Sequence, residues 1–225
     1  MKCLLLICIS VLRLAAQGPP PPVLQPGAYI SKTFIEALIQ TRSPFLAVQK
    51  VELTDATVFT KEGKSFVTLG WNFHERDISR LIEGDGSLHR VDSGVDAPSF
   101  KIQTTSDKSF HIRAPTKFSG ELQWVDSLNE LLIKHTLEGT YIDSQNLLFR
   151  FGANGQATFP DRSFNFKVGV DHIEYRFDNF SGPDVDWAFE LQSDRLLLFN
   201  ISKDEPYTKA KAPFLVLKRM AVRQP

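Results

Sequence analysis

The sequence predicts an all-β protein of antiparallel meanders or barrels with one short N-terminal α-helix. Apolar and polar residues alternate over most of the chain after residue 45, and side chains on a strand point to opposite faces in turn. Turn-forming sequences separate these runs at short intervals, which leaves no room for the crossover helices that parallel strands need. Only Ser31 to Thr41 has apolar residues at helical spacing, and Ser31 is placed to cap that helix.

The first 16 residues have the pattern of a secretion signal. Lys2 precedes an apolar core, Leu4 to Leu12, and the small residues Ala15 and Ala16 precede a predicted cut before Gln17. The apolar core is too short to cross a bilayer as a helix, and no later run is long enough. We therefore expect a secreted or periplasmic protein without a transmembrane segment once the signal is removed.

Both cysteines, Cys3 and Cys8, lie in this predicted signal. The mature chain would then have neither disulfides nor cysteine-zinc sites, so its core alone must hold it together. Loss of Lys2 and Arg13 with the signal leaves 24 basic residues against 26 acidic ones, a net charge of about −2. A nearly neutral surface gives no reason to expect nucleic acid as a partner.

The chain divides into five predicted segments. These are the signal (1–16), a proline-rich linker (17–27), a helix with a β-rich N-terminal half (28–136), a β-barrel domain (137–219) and a tail (220–225). In the N-terminal half we predict seven strands, namely Val51–Phe59, Ser65–His74, Ser87–Asp92, Ser99–Thr105, Ser109–Ala114, Glu121–Val125 and Glu130–His135. The turns and apolar runs of this half weakly resemble those of the second half. An old duplication, two generic meanders, and one larger sandwich or barrel that uses both halves are all compatible with the pattern.

Residues 137–219 contain about eight short strands joined by hairpins. Asn154-Gly155 is predicted to form the tight turn between strands through Phe151 and Ala157, because both turn residues tolerate positive φ. Alternation places several aromatic and aliphatic pairs on one face: Phe149 and Phe151, Phe164 and Phe166, Tyr175 and Phe177, Trp187 and Phe189, Leu196 and Leu198, Phe214 and Val216. So many large side chains predict a packed interior. Phe180, beside the exposed turn at Ser181-Gly182-Pro183, is expected to tolerate alanine much better than Phe151 and Phe166.

The motifs LEGTY, LFRFGANGQATF, DWAFELQSDRLLLFNIS and FLVLKRM resemble the small lipocalin-like (calycin-type) β-barrel domains of secreted bacterial proteins. The resemblance covers about 83 of the 225 residues, all in the C-terminal part. It implies an up-and-down barrel and ligand binding, and it transfers no catalytic residue. Tyr141 stands where that pattern more often has tryptophan.

Four aromatic residues are candidates for ligand binding: Trp187, Tyr175, Trp71 and Trp124. Trp187 follows a long turn and is expected near a barrel rim. Tyr175 belongs to the predicted inner aromatic face. Trp71 and Trp124 lie within alternating runs, which favours core positions for both over sugar stacking.

No pattern in the sequence predicts a catalytic, metal or cofactor site. The five histidines lack the spacing of a zinc motif, and no Gly-x-Ser-x-Gly is present. Asp184 and Asp186 form a close carboxylate pair, but aspartate is common beside Gly-Pro turns for local hydrogen bonding. Asn179-Phe180-Ser181 and Asn200-Ile201-Ser202 match the N-glycosylation pattern, which matters only in a eukaryotic host.

These observations predict a non-enzymatic binding or structural protein of the cell envelope or extracellular space. A small apolar ligand or an envelope or extracellular protein is the expected partner. The alternative is a secreted hydrolase that acts on glycan, which would need an open cleft with two carboxylates at catalytic spacing. A filled barrel would favour binding or scaffolding.

Overall fold

The computed structural model describes residues 23–71, 73, 76, 79–83, 85–90, 100–113, 119–170 and 175–221. The predicted signal peptide, most of the predicted linker and the last four residues lie outside these ranges. Within the described residues the protein is all-β, with two antiparallel, nearly closed barrels and three short helices. The predicted fold class is confirmed. No helix in this part of the chain is long and apolar enough to cross a membrane.

The first barrel contains eight strands: β1 (Gly27–Ser31), β2 (Asp55–Lys61), β3 (Lys64–Gly70), β4 (Arg80–Ile82), β5 (Leu88–Arg90), β6 (Lys101–Ser106), β7 (Ser109–Arg113) and β8 (Gly120–Val125). Consecutive strands are neighbours, and β1 also pairs with β8. The two outermost strands, β5 and β6, are linked by a bridge between Ser87 and Lys101. Strands β1 and β4 are absent from the sequence prediction.

The second barrel is built from nine strand segments: β9 (Gly139–Ile142), β10 (Leu148–Phe151), β11 (Gln156–Thr158), β12 (Ser163–Asn165), β13 (Lys167–Val168), β14 (Asn179–Gly182), β15 (Val185–Gln192), β16 (Arg195–Asn200) and β17 (Leu215–Arg219). Segments β12 and β13 are two pieces of one strand, interrupted at Phe166. The first piece pairs with β11 and the second with β14. Since β17 also pairs with β9, eight strands form an up-and-down barrel.

The predicted hairpin at Asn154-Gly155 is confirmed. Phe151 pairs with Ala157, and Gly155 has a φ of 78°. The Gly155 carbonyl also accepts the backbone N–H of Phe166 at 2.7 Å. This turn therefore lies at the seam where β12 gives way to β13.

The sequence predicted one of the three helices, missed the second and assigned the third to a strand. Helix α1 (Lys32–Thr41) is confirmed, and the Ser31 hydroxyl accepts the N–H of Phe34. Helix α2 (Pro44–Val48) was not predicted; it starts at a proline, which suits the first helical position, and Ser43 caps it. The predicted strand Glu130–His135 is wrong, because these residues belong to helix α3 (Leu128–His135).

The error at α3 has a clear physical cause. A short apolar run such as Leu131-Leu132-Ile133 does not distinguish a strand from a helix by periodicity. The Ser127 hydroxyl accepts the N–H of Glu130 at 3.2 Å and starts the helix. Leu132 and Ile133 then pack into the second barrel's core, and Asn129 accepts the N–H of Val168 at 2.9 Å.

Each barrel has an apolar core of its own, but the N-terminal helices belong to the second. Phe34, Leu38 and Ala47 of α1 and α2 are fully buried in the cluster that fills the second barrel. Arg42, which ends α1, donates to the carbonyls of Thr136 and Ser193, each at 3.3 Å. These contacts of the N-terminal helices tie the two halves together. The predicted domain division at residue 136 stays a prediction.

The register of β17 corrects one predicted face. Phe214 and Val216 were expected on the buried side, but both are exposed, whereas Leu217 is fully buried. The sequence FLVL is apolar at every position, so alternation does not determine which set faces inward. Tyr175 and Phe177 lie in no strand and are only partly buried.

Asp178 joins helix α2 to the second barrel. Its Oδ1 accepts the backbone N–H of Phe45 at 2.8 Å. Burial raises the pKa of Asp178 from 3.8 to about 6, although hydrogen bonds from Ser43 and Phe45 and the charge of Lys209 act in the opposite direction. The carboxylate thus satisfies a free N–H of α2, and its ionisation carries a desolvation cost.

We expect Asp178→Asn to keep the bond to Phe45 and to remove this cost. Because the folded-state pKa is raised, the stability that Asp178 contributes is present below about pH 4 and is lost as the pH rises through 6. The shift corresponds to at most about 3 kcal/mol, and partial solvent exposure reduces the expected gain at neutral pH to about 1–2 kcal/mol. Urea unfolding across this pH range measures it, with the exposed Asp161→Asn as control. Parallel pH profiles for wild type and Asp178→Asn would contradict the assignment.

Candidate functional site

The interior of the second barrel is filled with aromatic rings. Phe151 contacts Phe159, Phe166 and Phe180 edge-on, with ring centroids 5.6 to 5.9 Å apart. The predicted inner residues Phe149, Phe151, Phe166 and Phe189 are buried, and Phe164 and Trp187 pack against them. Phe180 was predicted to tolerate alanine because it lies beside an exposed turn, but its burial contradicts that argument, because the side chain is 0% exposed. These rings occupy the space that an enclosed ligand would need.

The two ligand candidates of this half do not form one site. Trp187 is partly buried; it stacks on Phe159 at 5.8 Å and contacts Phe214 at 5.1 Å. Tyr175 stacks on Tyr207 at 4.8 Å, and its hydroxyl donates to Asp186 at 3.3 Å. Asp186 precedes Trp187 on β15, so their side chains lie on opposite faces of that strand.

Trp71 and Trp124 lie in the first half, and both pack against the apolar core of the first barrel. The Trp124 ring lies below the Lys108 ammonium, 4.7 Å from the ring centroid. Its Nε1 is buried without a hydrogen-bond partner in the described part of the chain. Gly27, at a φ of 142°, leaves the room for this ring, since a Cβ there would lie 2.5 Å from Nε1. Both rings are partly buried beside that core and are not among its buried members.

A cavity of about 900 Å³ lies at one end of the first barrel. In an antiparallel meander, every second turn is at the same end. The β2–β3 and β4–β5 turns therefore share an end, and both contribute to the cavity wall. The segment before β1 lies at this end too, where the N–H of Gln25 donates to the backbone carbonyl of Asp107 at 2.8 Å. The volume is within the range of small-molecule sites, about 300–1,000 Å³.

The inner wall of this cavity is apolar. Leu24 and Ile102 line it and are buried in the barrel core, and Ile82 packs against that core. Ser65 and Thr104 also line it. Ser65 lies on the same face of β3 as the buried Val67. This wall offers a ligand apolar surface and two hydroxyl groups.

Charged residues surround the opening. Lys64, Lys101 and Arg113 supply positive charge, and Glu83 and Asp85 supply negative charge. Asp85 accepts bonds from the N–H and hydroxyl of Ser87, which lower its pKa, and it lies 3.9 Å from the Lys101 ammonium. The cavity thus combines an apolar wall with a mixed, slightly basic rim.

The carboxylate pair considered for glycan hydrolysis lies elsewhere. Asp184 and Asp186 are both exposed on the second barrel, at and after the β14–β15 turn. In the described residues, no group of three or more His, Cys, Asp or Glu side chains is arranged to hold a metal. His74 and His172 lie outside the described residues.

A second groove, of about 670 Å³, runs along the outer side of β17. Phe214 and Val216 line it together with Arg195 and Lys218. Leu147 and Leu148, which are partly exposed, follow its loop from Asp143 to Asn146. Its lining lies on the outer surface of the second barrel, whereas the cavity of the first barrel is lined in part by buried core residues.

Sequence reasoning did not find the first-barrel cavity. The turns at Glu62-Gly63-Lys64 and Gly84-Asp85-Gly86 were predicted, and a meander order would have placed them at one end. Their distance from Leu24 and Ile102 depends on closure of the barrel, which local patterns do not encode. The chain matches no protein-family model, no curated protein and no solved structure.

Proposed function

We propose that this chain is a secreted or periplasmic, non-enzymatic binding protein whose first barrel takes a small, largely apolar ligand. The observation that carries the proposal is the contrast between the two barrels. The first has an apolar-walled cavity of about 900 Å³ at its end, and the second is filled by its own aromatic side chains. A lipocalin-like role fits this contrast, with the ligand-binding function in the first barrel and a structural function in the second.

The lining suggests the kind of ligand. An apolar body would replace water from Leu24, Ile82 and Ile102, and burial of apolar surface is the main source of affinity in such sites. Lys64, Lys101 and Arg113 at the rim would attract an acidic group on the ligand. An amphiphilic molecule with an apolar body and one anionic group combines both features. The exposed carboxylates Asp184 and Asp186 give no support to the alternative of a glycan hydrolase.

Two fluorescent probes with similar apolar bodies test this proposal. Anilinonaphthalene sulfonate is anionic and phenylnaphthylamine is neutral, and we expect both to bind the wild-type protein. Ser65→Trp places a large ring in the cavity and should weaken both probes at least about tenfold, equal to about 1.4 kcal/mol. Lys64→Glu should weaken the sulfonate and leave the neutral probe unchanged.

Ser163→Trp on β12 is the matched control, because Ser163 is an exposed strand serine of the second barrel. It should leave both probes unaffected. Equal weakening by Ser65→Trp and Ser163→Trp, or none by either, would mean that the probes bind elsewhere. Independently of the probes, mass spectrometry of an organic extract of the purified protein would identify a natural ligand.

A further inference from the structure

The asparagines of the two N-glycosylation sequences differ in their exposure to solvent. Asn179 is only 6% exposed, and its carbonyl accepts the N–H of Gly169 at 2.9 Å. Its side chain packs directly on Gly169, where a Cβ would lie 2.2 Å from Oδ1. The next residue, Phe180, is in the aromatic core. A chain with a glycan on Asn179 has no room to close the second barrel.

Asn200, by contrast, is exposed at the last position of β16. Its Cα partner on the neighbouring strand is Trp187, so the two residues lie on the same face. Phe214, which is 44% exposed, contacts the Trp187 ring. A glycan on Asn200 would extend into solvent and cover this aromatic rim. It would lie on the second barrel and leave the cavity of the first barrel open.

We propose that, in a eukaryotic secretory pathway, Asn200 is the acceptor of an N-linked glycan on the exported chain, and that Asn179 is not occupied in the folded protein. The donor is a lipid-pyrophosphate-linked oligosaccharide in the secretory lumen. The Asn200 amide nitrogen forms a bond to the anomeric carbon, the bond from that carbon to the pyrophosphate oxygen breaks, and one amide proton is lost. The lipid pyrophosphate is the leaving group. The Ser202 hydroxyl completes the recognised sequence.

The test is secretion of the full chain, with its own N-terminal segment, from cultured eukaryotic cells. On gel electrophoresis, we expect the exported wild-type protein to show one step of reduced mobility, the size of a single glycan. Peptide N-glycosidase should remove this mobility step. Asn200→Gln and Ser202→Ala should each abolish that step. Ser181→Ala disables the Asn179 sequence at an exposed position, so it should preserve both the fold and the mobility step. Ser202→Thr should also preserve it, because threonine is accepted at that position.

Two results would overturn the inference. One is an exported protein without a glycan, and the other is a step that survives Asn200→Gln and disappears in Ser181→Ala. The inference depends on the export proposed above, and the outcomes distinguish the two. Export without modification contradicts only the Asn200 assignment, whereas retention of intact Met1 in the cytoplasm contradicts both.

Discussion

Replacement of Phe180 by alanine is expected to lower the free energy of unfolding by about 3–5 kcal/mol, as truncation of a buried phenylalanine does. Phe180 is fully buried, and its ring centroid lies 5.4 Å from Phe166, 5.7 Å from Trp187 and 5.9 Å from Phe151. Its loss would leave a void that the surrounding rigid rings do not readily fill. Phe151→Ala and Phe166→Ala should have effects of similar size.

Phe214→Ala is the matched control for these variants. Phe214 also contacts Trp187, but it is 44% exposed, so its truncation should cost less than about 1.5 kcal/mol. Urea unfolding of the four variants measures the differences. If Phe180→Ala unfolded together with Phe214→Ala, the aromatic cluster would not be closely packed and the second barrel would have space for a ligand.

Gly155→Val is expected to destabilise the protein by about 2–4 kcal/mol, because two independent costs add. The φ of 78° at Gly155 is unfavourable for a β-branched residue and costs roughly 1–3 kcal/mol. A Cβ would also lie 2.9 Å from the carbonyl oxygen of Phe166, which is backbone and has little freedom to move. The Phe166 N–H is bound to the Gly155 carbonyl, so the strain falls on the seam of the barrel.

Gly63→Val separates these two costs. Gly63 has a φ of 73°, and a Cβ there would have no neighbour within 4 Å. It should show the backbone cost alone, and Gly155→Val should exceed it by at least about 1 kcal/mol. Thermal or urea unfolding of both variants gives the comparison. Equal effects would show that the seam adapts to a side chain at residue 155.

These contacts show that the two barrels differ in how they are packed. The second barrel is held by aromatic packing, by α3 across its seam, and by α1 and α2, which come from the N-terminal half. The first barrel has a cavity at the end that carries the β2–β3 and β4–β5 turns. The N-terminal helices follow β1 of the first barrel and pack into the core of the second, so the stability of the second barrel also bears on the position of the first.

Local sequence determined a large part of this fold. Alternation predicted the strands around Phe149, Phe151 and Phe189, because φ and ψ preferences and side-chain alternation act within a few residues. Ser31 predicted the start of α1 through a hydrogen bond to a residue three positions away. Asn154-Gly155 predicted its turn, because glycine adopts positive φ without steric cost.

Only the tertiary structure decided which faces are buried and where the cavity lies. FLVL in β17 and Leu131-Leu132-Ile133 in α3 are apolar on every side, so their register and conformation depend on the partner they pack against. Phe180 follows a polar context in sequence, yet closure of the barrel surrounds it with four aromatic rings. The pairing of β1 with β8 and of β9 with β17 joins residues that are about 80–100 positions apart. Such non-local pairing forms only when the whole sheet closes, and the cavity at Leu24, Ile82 and Ile102 exists only as a result of that closure.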